Sequence, residues 1–154
     1  MRIATILVGT DFSENAQRAF ECAYDIAQQV GAHLHILHVQ DEGTLRTSIK
    51  EGLLRDDSTD EELQTAVAQL LESRFSQLLA GCDSEVKLTQ AVRRGEPQTV
   101  LCEYAQAINA DLVVVGRRGA GLRNLVLGSV ADSVVRNSPA PVLVVRRDQP
   151  AHQT

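Results

Sequence analysis

The stretch LVVV at residues 112–115, followed by GRRGAG at residues 116–121, decides the fold class of this sequence. A short, uninterrupted apolar run that ends in glycine is typical of a strand buried on both faces of a parallel sheet. Neighbouring parallel strands need a crossover connection, which is usually a helix. The rest of the chain is therefore expected to alternate strands with helices.

The spacing of apolar residues supports this alternation on both sides of the stretch. Apolar residues three and four positions apart predict helices, whereas short β-branched or alternating runs predict strands. The predicted order is strand Ile3–Gly9, a helix spanning Ala16–Val30, strand His33–Val39, a helix spanning Leu63–Leu79, strand Glu85–Val92, a helix from Pro97 to Asn109, strand Leu112–Val115, helix Ser129–Asn137 and strand Val142–Val145. This order predicts an α/β fold, a parallel sheet with helices on both faces.

Length and composition set the organisation of the chain. Its 154 residues suffice for one core and are too few for two ordinary domains. We expect one domain at residues 1–147 and a disordered tail at residues 148–154. Within that domain, the polar segment Asp41–Asp60 is expected to be the least ordered part. No apolar run approaches the roughly 20 residues that cross a bilayer, and residues 1–9 do not resemble a secretory signal. These features predict a cytoplasmic protein with no membrane contact.

Cysteines and charge restrict the function further. Cys22, Cys82 and Cys102 are far apart and lack metal or redox spacing, so we expect reduced packing residues. A net charge of −5 argues against a nucleic-acid binder, because neutralising phosphates needs an excess of Lys and Arg. The segment Arg93–Arg147 nevertheless holds eight Arg and four acidic residues, so an anion is expected to meet this half.

The predicted sheet places a ligand site at the carboxyl ends of its strands, where the strand order reverses. Gly9-Thr10-Asp11 follows the first strand, and the loop at residues 116–121 follows the fourth and leads to Gly128-Ser129. Glycines allow backbone N–H groups to surround phosphate oxygens, and the helix that begins near Ser129 adds the positive end of its dipole. Three arginines lie in the same loop region: Arg117, Arg118 and Arg123.

Each of these features also has a purely structural interpretation. The glycine loop can be a turn, Ser129 with Asp132 can form a capping box, and Asp11 can cap the first helix together with Ser13. The loop is neither a Walker A motif nor a dinucleotide fingerprint. His33, His35 and His38 are expected to be strand and surface residues rather than metal ligands, because they do not share one strand face.

Four blocks of sequence lie around these loops and strand ends: Ile6–Ser13, His38–Val39, Asp111–Gly116, and Gly128–Val130 through Pro141–Val145. Together they resemble the universal stress protein family over nearly the whole chain. The resemblance implies an adenine nucleotide alpha hydrolase-like, Rossmann-like fold with an open five-stranded sheet in the order 3-2-1-4-5. It also implies a stress-response role and a homodimer.

The ATP-binding branch of that family carries a loop written Gly, two residues, Gly, nine residues, Gly, then Ser or Thr. Gly116 and Gly119 match its start and Gly128-Ser129 its end, but only eight residues separate Gly119 from Gly128. The shorter loop is either accommodated in the turn at residues 120–122 or drawn inward so that it narrows the pocket. We expect the first outcome, because Gly121 supplies conformational freedom.

The resemblance implies specific contacts with an adenine nucleotide. Asp11 and Val39 would contact the adenine and ribose end, with Thr10 beside them. The residues implied along the ribose and phosphate path are Val115, Gly116, Arg117, Gly119, Gly128, Ser129 and Val130. The implied ligand is ATP, or else ADP or AMP, with Mg²⁺ or Mn²⁺ beside the phosphates, although the sequence shows no protein ligand cluster for the ion.

Three functions are compatible with this sequence. The leading hypothesis is a nucleotide-binding, dimeric regulatory module, in which the edge strand Val142–Val145 pairs with the same strand of a second copy. A slow ATP hydrolase is an alternative, but no general base is evident among the phosphate-loop residues. The third is an interaction module without nucleotide, which only the short spacing from Gly119 to Gly128 favours.

Overall fold

The computed structural model of the protein describes residues 1–41, 59–83, 85–117 and 127–146. The predicted tail at 148–154 lies outside these ranges, as does most of the polar segment Asp41–Asp60. We number the elements of the described residues in chain order. They are β1 Thr5–Gly9, α1 Glu14–Val30, β2 His33–Gln40, α2 Asp60–Leu78, β3 Leu88–Arg94, α3 Pro97–Ala107, β4 Leu112–Gly116, α4 Ser129–Asn137 and β5 Val142–Val145.

The five strands form one parallel sheet in the order β3-β2-β1-β4-β5, which confirms the predicted topology. β1 lies at the centre, paired with β2 on one side and with β4 on the other. The strand order therefore reverses between β1 and β4, and this is where open α/β sheets bind their ligands. β3 and β5 are the two edges.

Side chains alternate across the sheet and build a core on each face. Ile6 and Val8 of β1 pack on the face covered by α1 and α2, which contribute Phe20 and Phe75. Leu7 lies on the opposite face, where α3 and α4 contribute residues such as Leu101. Helices on both faces are confirmed. Within the described ranges, no helix combines the length and apolar character that a membrane span needs.

The predicted bounds of the third strand were wrong. The strand is Leu88–Arg94 rather than Glu85–Val92, and its pairing with β2 begins at Leu34 and Leu88. Val86 is buried in the core on the α1 side although it precedes the strand, so its burial imitates a strand pattern. Arg93 and Arg94 continue the ladder through their backbones while their side chains are exposed, which hides the true end of this edge strand.

Candidate functional site

The ends of the two central strands lie side by side at the carboxyl edge of the sheet. Val8 of β1 pairs with Val114 of β4, so the residues that follow them leave the sheet next to each other. The Thr10 N–H donates to the Leu37 carbonyl at 2.9 Å, and the Arg117 N–H donates to the Val145 carbonyl at 2.8 Å. The two loops predicted to form the site therefore start from one shared edge.

Gly116 joins these two regions through a close backbone contact. A Cβ atom at this position would lie 2.9 Å from the Asn15 carbonyl oxygen in the first turn of α1. Real Cβ atoms almost never approach an oxygen so closely, so a side chain here would displace either β4 or α1. Glycine lets the end of β4 pack directly against the start of α1. This contact holds the two halves of the site at a fixed separation.

The loop after β1, which comprises Thr10–Ser13, is held by its own hydrogen bonds. The Phe12 N–H donates to Thr10 Oγ1 at 3.0 Å, and the Ser13 N–H donates to Asp11 Oδ1 at 2.9 Å. Phe12 has a φ of 61°, a left-handed conformation that costs a non-glycine residue about 1 kcal/mol or more. The surrounding bonds and the packing of the Phe12 ring 5.0 Å from the Phe75 ring compensate for that cost.

The two roles considered for Asp11 are compatible in the structure. Ser13 is the N-cap of α1, and its Oγ accepts a hydrogen bond from the Ala16 N–H at 3.2 Å. Asp11 binds the Ser13 N–H with one carboxylate oxygen, and its side chain is exposed at the sheet edge. Asp11 thus supports the cap without serving as the cap itself.

His38 is buried, so the expectation that it would be a surface residue was wrong. Its side chain is 3% exposed, and its Nδ1 lies 2.8 Å from the Thr10 carbonyl oxygen. Its ring centroid is 4.8 Å from that of Phe12. Burial lowers the pKa of His38, although the Thr10 carbonyl and the Asp11 and Asp41 carboxylates act in the opposite direction. The alternation with buried Leu34 and Ile36 along β2 was the sequence signal for this burial.

Val39 and Val115 lie on the other face of the same edge. Both are buried within the core on the α3 side. Val39 lies near the end of β2, and Val115 lies near the end of β4. Val39 pairs with Arg93 of β3, whose guanidinium group lies 5.3 Å from the centre of the Tyr104 ring. Val39 and Val115 thus place buried apolar side chains near this edge, and the contact of Val39 with adenine stays a prediction.

The start of α4 contributes backbone groups rather than side-chain caps. Gly128 is the N-cap, with no side-chain cap hydrogen bond, and Ser129 is the first helical residue. Ser129 is exposed and Val130 is half-buried. The alternative that Ser129 and Asp132 form a capping box is wrong, because Asp132 instead pairs with Arg136 at 3.1 Å.

The direction of α4 follows from its connection to β5. β5 begins at the amino edge of the sheet, where the Pro141 carbonyl accepts a hydrogen bond from the Val113 N–H. The end of α4 at Asn137 leads directly into this strand. The start of α4 therefore faces the carboxyl edge, with the positive end of its dipole on the same side as Thr10 and Gly116.

The sequence model of the universal stress protein family matches residues 3–146. The chain belongs to the universal stress protein family. It is 31% identical over 147 residues to universal stress protein YxiE of Bacillus subtilis, covering 92% of this chain and 97% of that relative.

Solved structures of the same family have the same fold. The structure of universal stress protein UspA from Lactobacillus plantarum matches with a TM-score of 0.71 and 30% identity, covering 95% of this chain and 99% of that one. A universal stress protein crystallised in complex with cAMP matches with a TM-score of 0.66 and 27% identity, covering 95% of this chain and 98% of that one.

Some residues predicted for the nucleotide site of this universal stress protein lie outside the described residues. Gly119, Arg118 and Arg123 are among them, so their place in the site stays a prediction. In the ranges that are described, no group of three or more His, Cys, Asp and Glu residues is arranged to hold a metal ion. The Mg²⁺ or Mn²⁺ ion implied beside the phosphates therefore also stays a prediction.

His33 and His35 form a small polar cluster away from this edge. Their rings lie 4.2 Å apart, His33 Nε2 is 2.6 Å from Thr89 Oγ1, and His35 Nδ1 is 3.2 Å from the Tyr104 hydroxyl. Burial lowers the pKa of both rings, and nearby Lys87 adds to this effect. Both histidines are half-buried and have hydrogen-bond partners, which agrees with a structural role.

The three cysteines are free, half-buried thiols. Burial raises the pKa of each thiol, so the reactive thiolate is disfavoured at neutral pH. Cys82 packs against the core on the α1 side and Cys102 against the core on the α3 side. They behave as packing residues.

Proposed function

We propose that this protein binds an adenine nucleotide, ATP or a close relative of it, at the carboxyl edge between β1 and β4. The observation that carries the proposal is the convergence of two complementary features on that edge. The Thr10–Ser13 loop is internally hydrogen-bonded and lies near the buried side chains of Val39 and Val115, and the start of α4 offers amides that no described side chain caps. The family relative that was crystallised with cAMP supports an adenine-containing ligand.

The base and the phosphates would use different parts of the edge. Asp11 and Val39, with Thr10 beside them, would contact the adenine and ribose end. Backbone amides, together with the Arg117 side chain and the Ser129 hydroxyl, would surround the phosphates. The complete set proposed for this phosphate path is Val115, Gly116, Arg117, Gly119, Gly128, Ser129 and Val130.

Calorimetric titration with nucleotides tests the proposal directly. Protein freed of bound nucleotide by unfolding and refolding is titrated with ATP, ADP, AMP, cAMP and GTP, each with and without Mg²⁺. We expect saturable heat with the adenine nucleotides and little with GTP, because the base end is built from specific protein groups. Absence of saturable heat with every adenine nucleotide would overturn the proposal.

A matched pair of variants at Ser129 locates the phosphates. Ser129→Asp places a carboxylate at the first turn of α4, which favours the helix dipole by about 0.5 kcal/mol but repels phosphate. Ser129→Asn has nearly the same shape without the charge. We expect the Asp variant to unfold at slightly higher urea concentration and to bind ATP at least about tenfold more weakly than the Asn variant. Equal ATP affinity of the two variants would place the phosphates elsewhere.

We also propose that the protein acts as a homodimeric regulatory module in the stress response, in the cytoplasm. β5 lies at the edge of the sheet, and its four residues are half-buried. The Pro141 and Val145 carbonyls face β4, so strand alternation turns the N–H and C=O groups of Val142 and Val144 outward. These outward groups can pair with the same strand of a second copy.

The substitution Val144→Pro tests this interface. It removes one outward N–H and leaves the ladder to β4 intact, so we expect sedimentation equilibrium to shift from dimer to monomer. The control is Val135→Ser, which changes an exposed residue of α4 away from β5. Val135→Pro is unsuitable as a control because proline would break α4. A Val144→Pro variant that stays dimeric would exclude β5 pairing.

A further inference from the structure

His38 makes one specific polar contact in the described structure, and this contact fixes its tautomer. Nδ1 lies 2.8 Å from the Thr10 carbonyl oxygen. A carbonyl oxygen can only accept a hydrogen bond, so Nδ1 carries the proton and donates it. In the neutral ring Nε2 is then left with its lone pair. Nε2 is buried and has no hydrogen-bond partner among the described residues.

The surroundings of the ring hold it in this orientation. The Phe12 ring covers it at 4.8 Å and is itself packed edge-on against Phe75 at 5.0 Å. With 3% of its surface exposed, the imidazole cannot exchange the Thr10 contact for water. Burying a polar ring costs free energy that one hydrogen bond only partly offsets. Because the Thr10 carbonyl accepts the Nδ1–H bond of this fixed ring, the histidine determines the position of that carbonyl.

Fixing that carbonyl also fixes the next amide. The Thr10 carbonyl and the Asp11 N–H belong to one planar trans peptide, in which the two groups point in opposite directions. Because His38 turns the carbonyl toward the α1 side of the sheet, the Asp11 N–H is turned away from that side. Val39 occupies the opposite face, where the proposed adenine contact lies.

We propose that His38 is a positioning residue of the nucleotide site, which sets the orientation of the Thr10–Asp11 peptide through its Nδ1–H bond. This inference rests on the proposed function. It assigns a role in binding to a buried side chain that lies beneath the loop and does not touch the ligand.

The matched substitutions His38→Asn and His38→Gln test the role. The Asn amide nitrogen occupies nearly the same position as Nδ1 and can still donate to Thr10, whereas the Gln amide lies one bond farther out, near the position of Nε2. We expect His38→Gln to weaken ATP binding about tenfold, the equivalent of one hydrogen bond. His38→Asn is expected to stay within about threefold of the wild type. Urea unfolding of both variants shows whether each is folded.

Nuclear magnetic resonance supplies a readout that does not depend on nucleotide. Long-range ¹H–¹⁵N correlations of the wild-type imidazole should show a protonated Nδ1 and an unprotonated Nε2. The Asp11 amide resonance should move in His38→Gln and stay near its wild-type position in His38→Asn. A wild-type ring protonated at Nε2 alone would overturn the inference even if neither variant folds.

The outcomes separate the two proposals. If the wild type binds no adenine nucleotide, the proposed function fails, and the inferred binding role fails with it, while the Asp11 amide still shows whether His38 orients the peptide. If the wild type binds and the two folded variants bind equally well or equally poorly, the proposed function stands and the positioning role is overturned.

Discussion

The Thr10–Ser13 loop and the start of α4 lie at the same edge of the sheet but are constructed differently. Thr10 Oγ1 and Asp11 Oδ1 each accept a hydrogen bond from a backbone N–H of the loop, and Ser13 Oγ accepts one from the Ala16 N–H of α1. At the start of α4 the cap is Gly128, which has no side chain to accept such a bond. The loop is organised by its own side chains, whereas no described side chain caps the start of α4.

This difference suggests that the two regions have different roles in the proposed nucleotide binding. A loop that is already ordered loses little conformational entropy when it meets a ligand, so it is suited to selecting the base. Helix amides that no described side chain caps can gain an acceptor from an anion, so the start of α4 is suited to binding phosphate. The two regions should therefore respond differently to substitution, in stability as well as in affinity.

The largest effect is expected where the end of β4 meets the first turn of α1. Gly116→Ala places a methyl group 2.9 Å from a backbone oxygen of Asn15, which cannot rotate away, and we expect a loss of about 2 kcal/mol in the free energy of unfolding. Gly9→Ala is the matched control at the end of β1. Its methyl group would meet Leu101 Cδ2 at 2.9 Å, the end of a side chain that can shift, so we expect a change within about 1 kcal/mol.

Urea unfolding of the two glycine variants measures this contrast. Equal losses would show that the contact between β4 and α1 yields as easily as a leucine side chain, and Gly116 would not be the residue that fixes the separation of β4 and α1. Weaker ATP binding in Gly116→Ala than in Gly9→Ala is expected as well, because only the first displaces the strand end beside α1.

A smaller effect distinguishes the two helix starts through their serines. Ser13 caps α1 with its hydroxyl, so Ser13→Ala should lower the free energy of unfolding by about 1 kcal/mol. Ser129 is the first residue of α4 and forms no cap, so Ser129→Ala should stay within about 0.5 kcal/mol of the wild type. Chemical denaturation without nucleotide compares them. A loss in Ser129→Ala as large as that in Ser13→Ala would contradict the distinction between a capped and an uncapped start.

The sequence predicted the order of elements well because buried strands and amphipathic helices have distinct apolar periods. The bounds of α4 and β5 were predicted as Ser129–Asn137 and Val142–Val145, as the structure has them. The predicted bounds of β3 were displaced from the observed ones because an edge strand pairs through its backbone, and the exposed Arg93 and Arg94 give no apolar signal.

The site was harder to predict than the fold because its decisive contacts involve backbone atoms distant in sequence. His38 meets the Thr10 carbonyl across 28 positions, and Gly116 meets the Asn15 carbonyl across the interface of β4 and α1. Both contacts depend on strand register and helix placement, which residue types do not encode locally. The burial of His38, by contrast, was readable from its alternation with Leu34 and Ile36, since all three lie on one face of β2.

The smallest expected effect is a pH dependence carried by His38 beneath the loop. Burial lowers the pKa of His38 below its ordinary value of 6.5, while the carboxylates that face it from the loop and from the end of β2, Asp11 and Asp41, offset part of that shift. Below pH 6.5 the unfolded chain therefore binds more protons at this residue than the folded chain does. The contribution is fully present above pH 6.5 and is lost as the pH falls toward the lowered value.

Urea unfolding at several pH values between 7.5 and 5 measures this effect, with His38→Asn as the control that cannot titrate. His33 and His35 also have lowered pKa values, so both proteins should lose stability on acidification. The wild type should lose more, because only it carries the buried imidazole under the Thr10–Ser13 loop. A stability difference between the two proteins that is constant with pH would mean that the imidazole is not desolvated in the folded state. His38 would then not be a buried support beneath the Thr10–Ser13 loop.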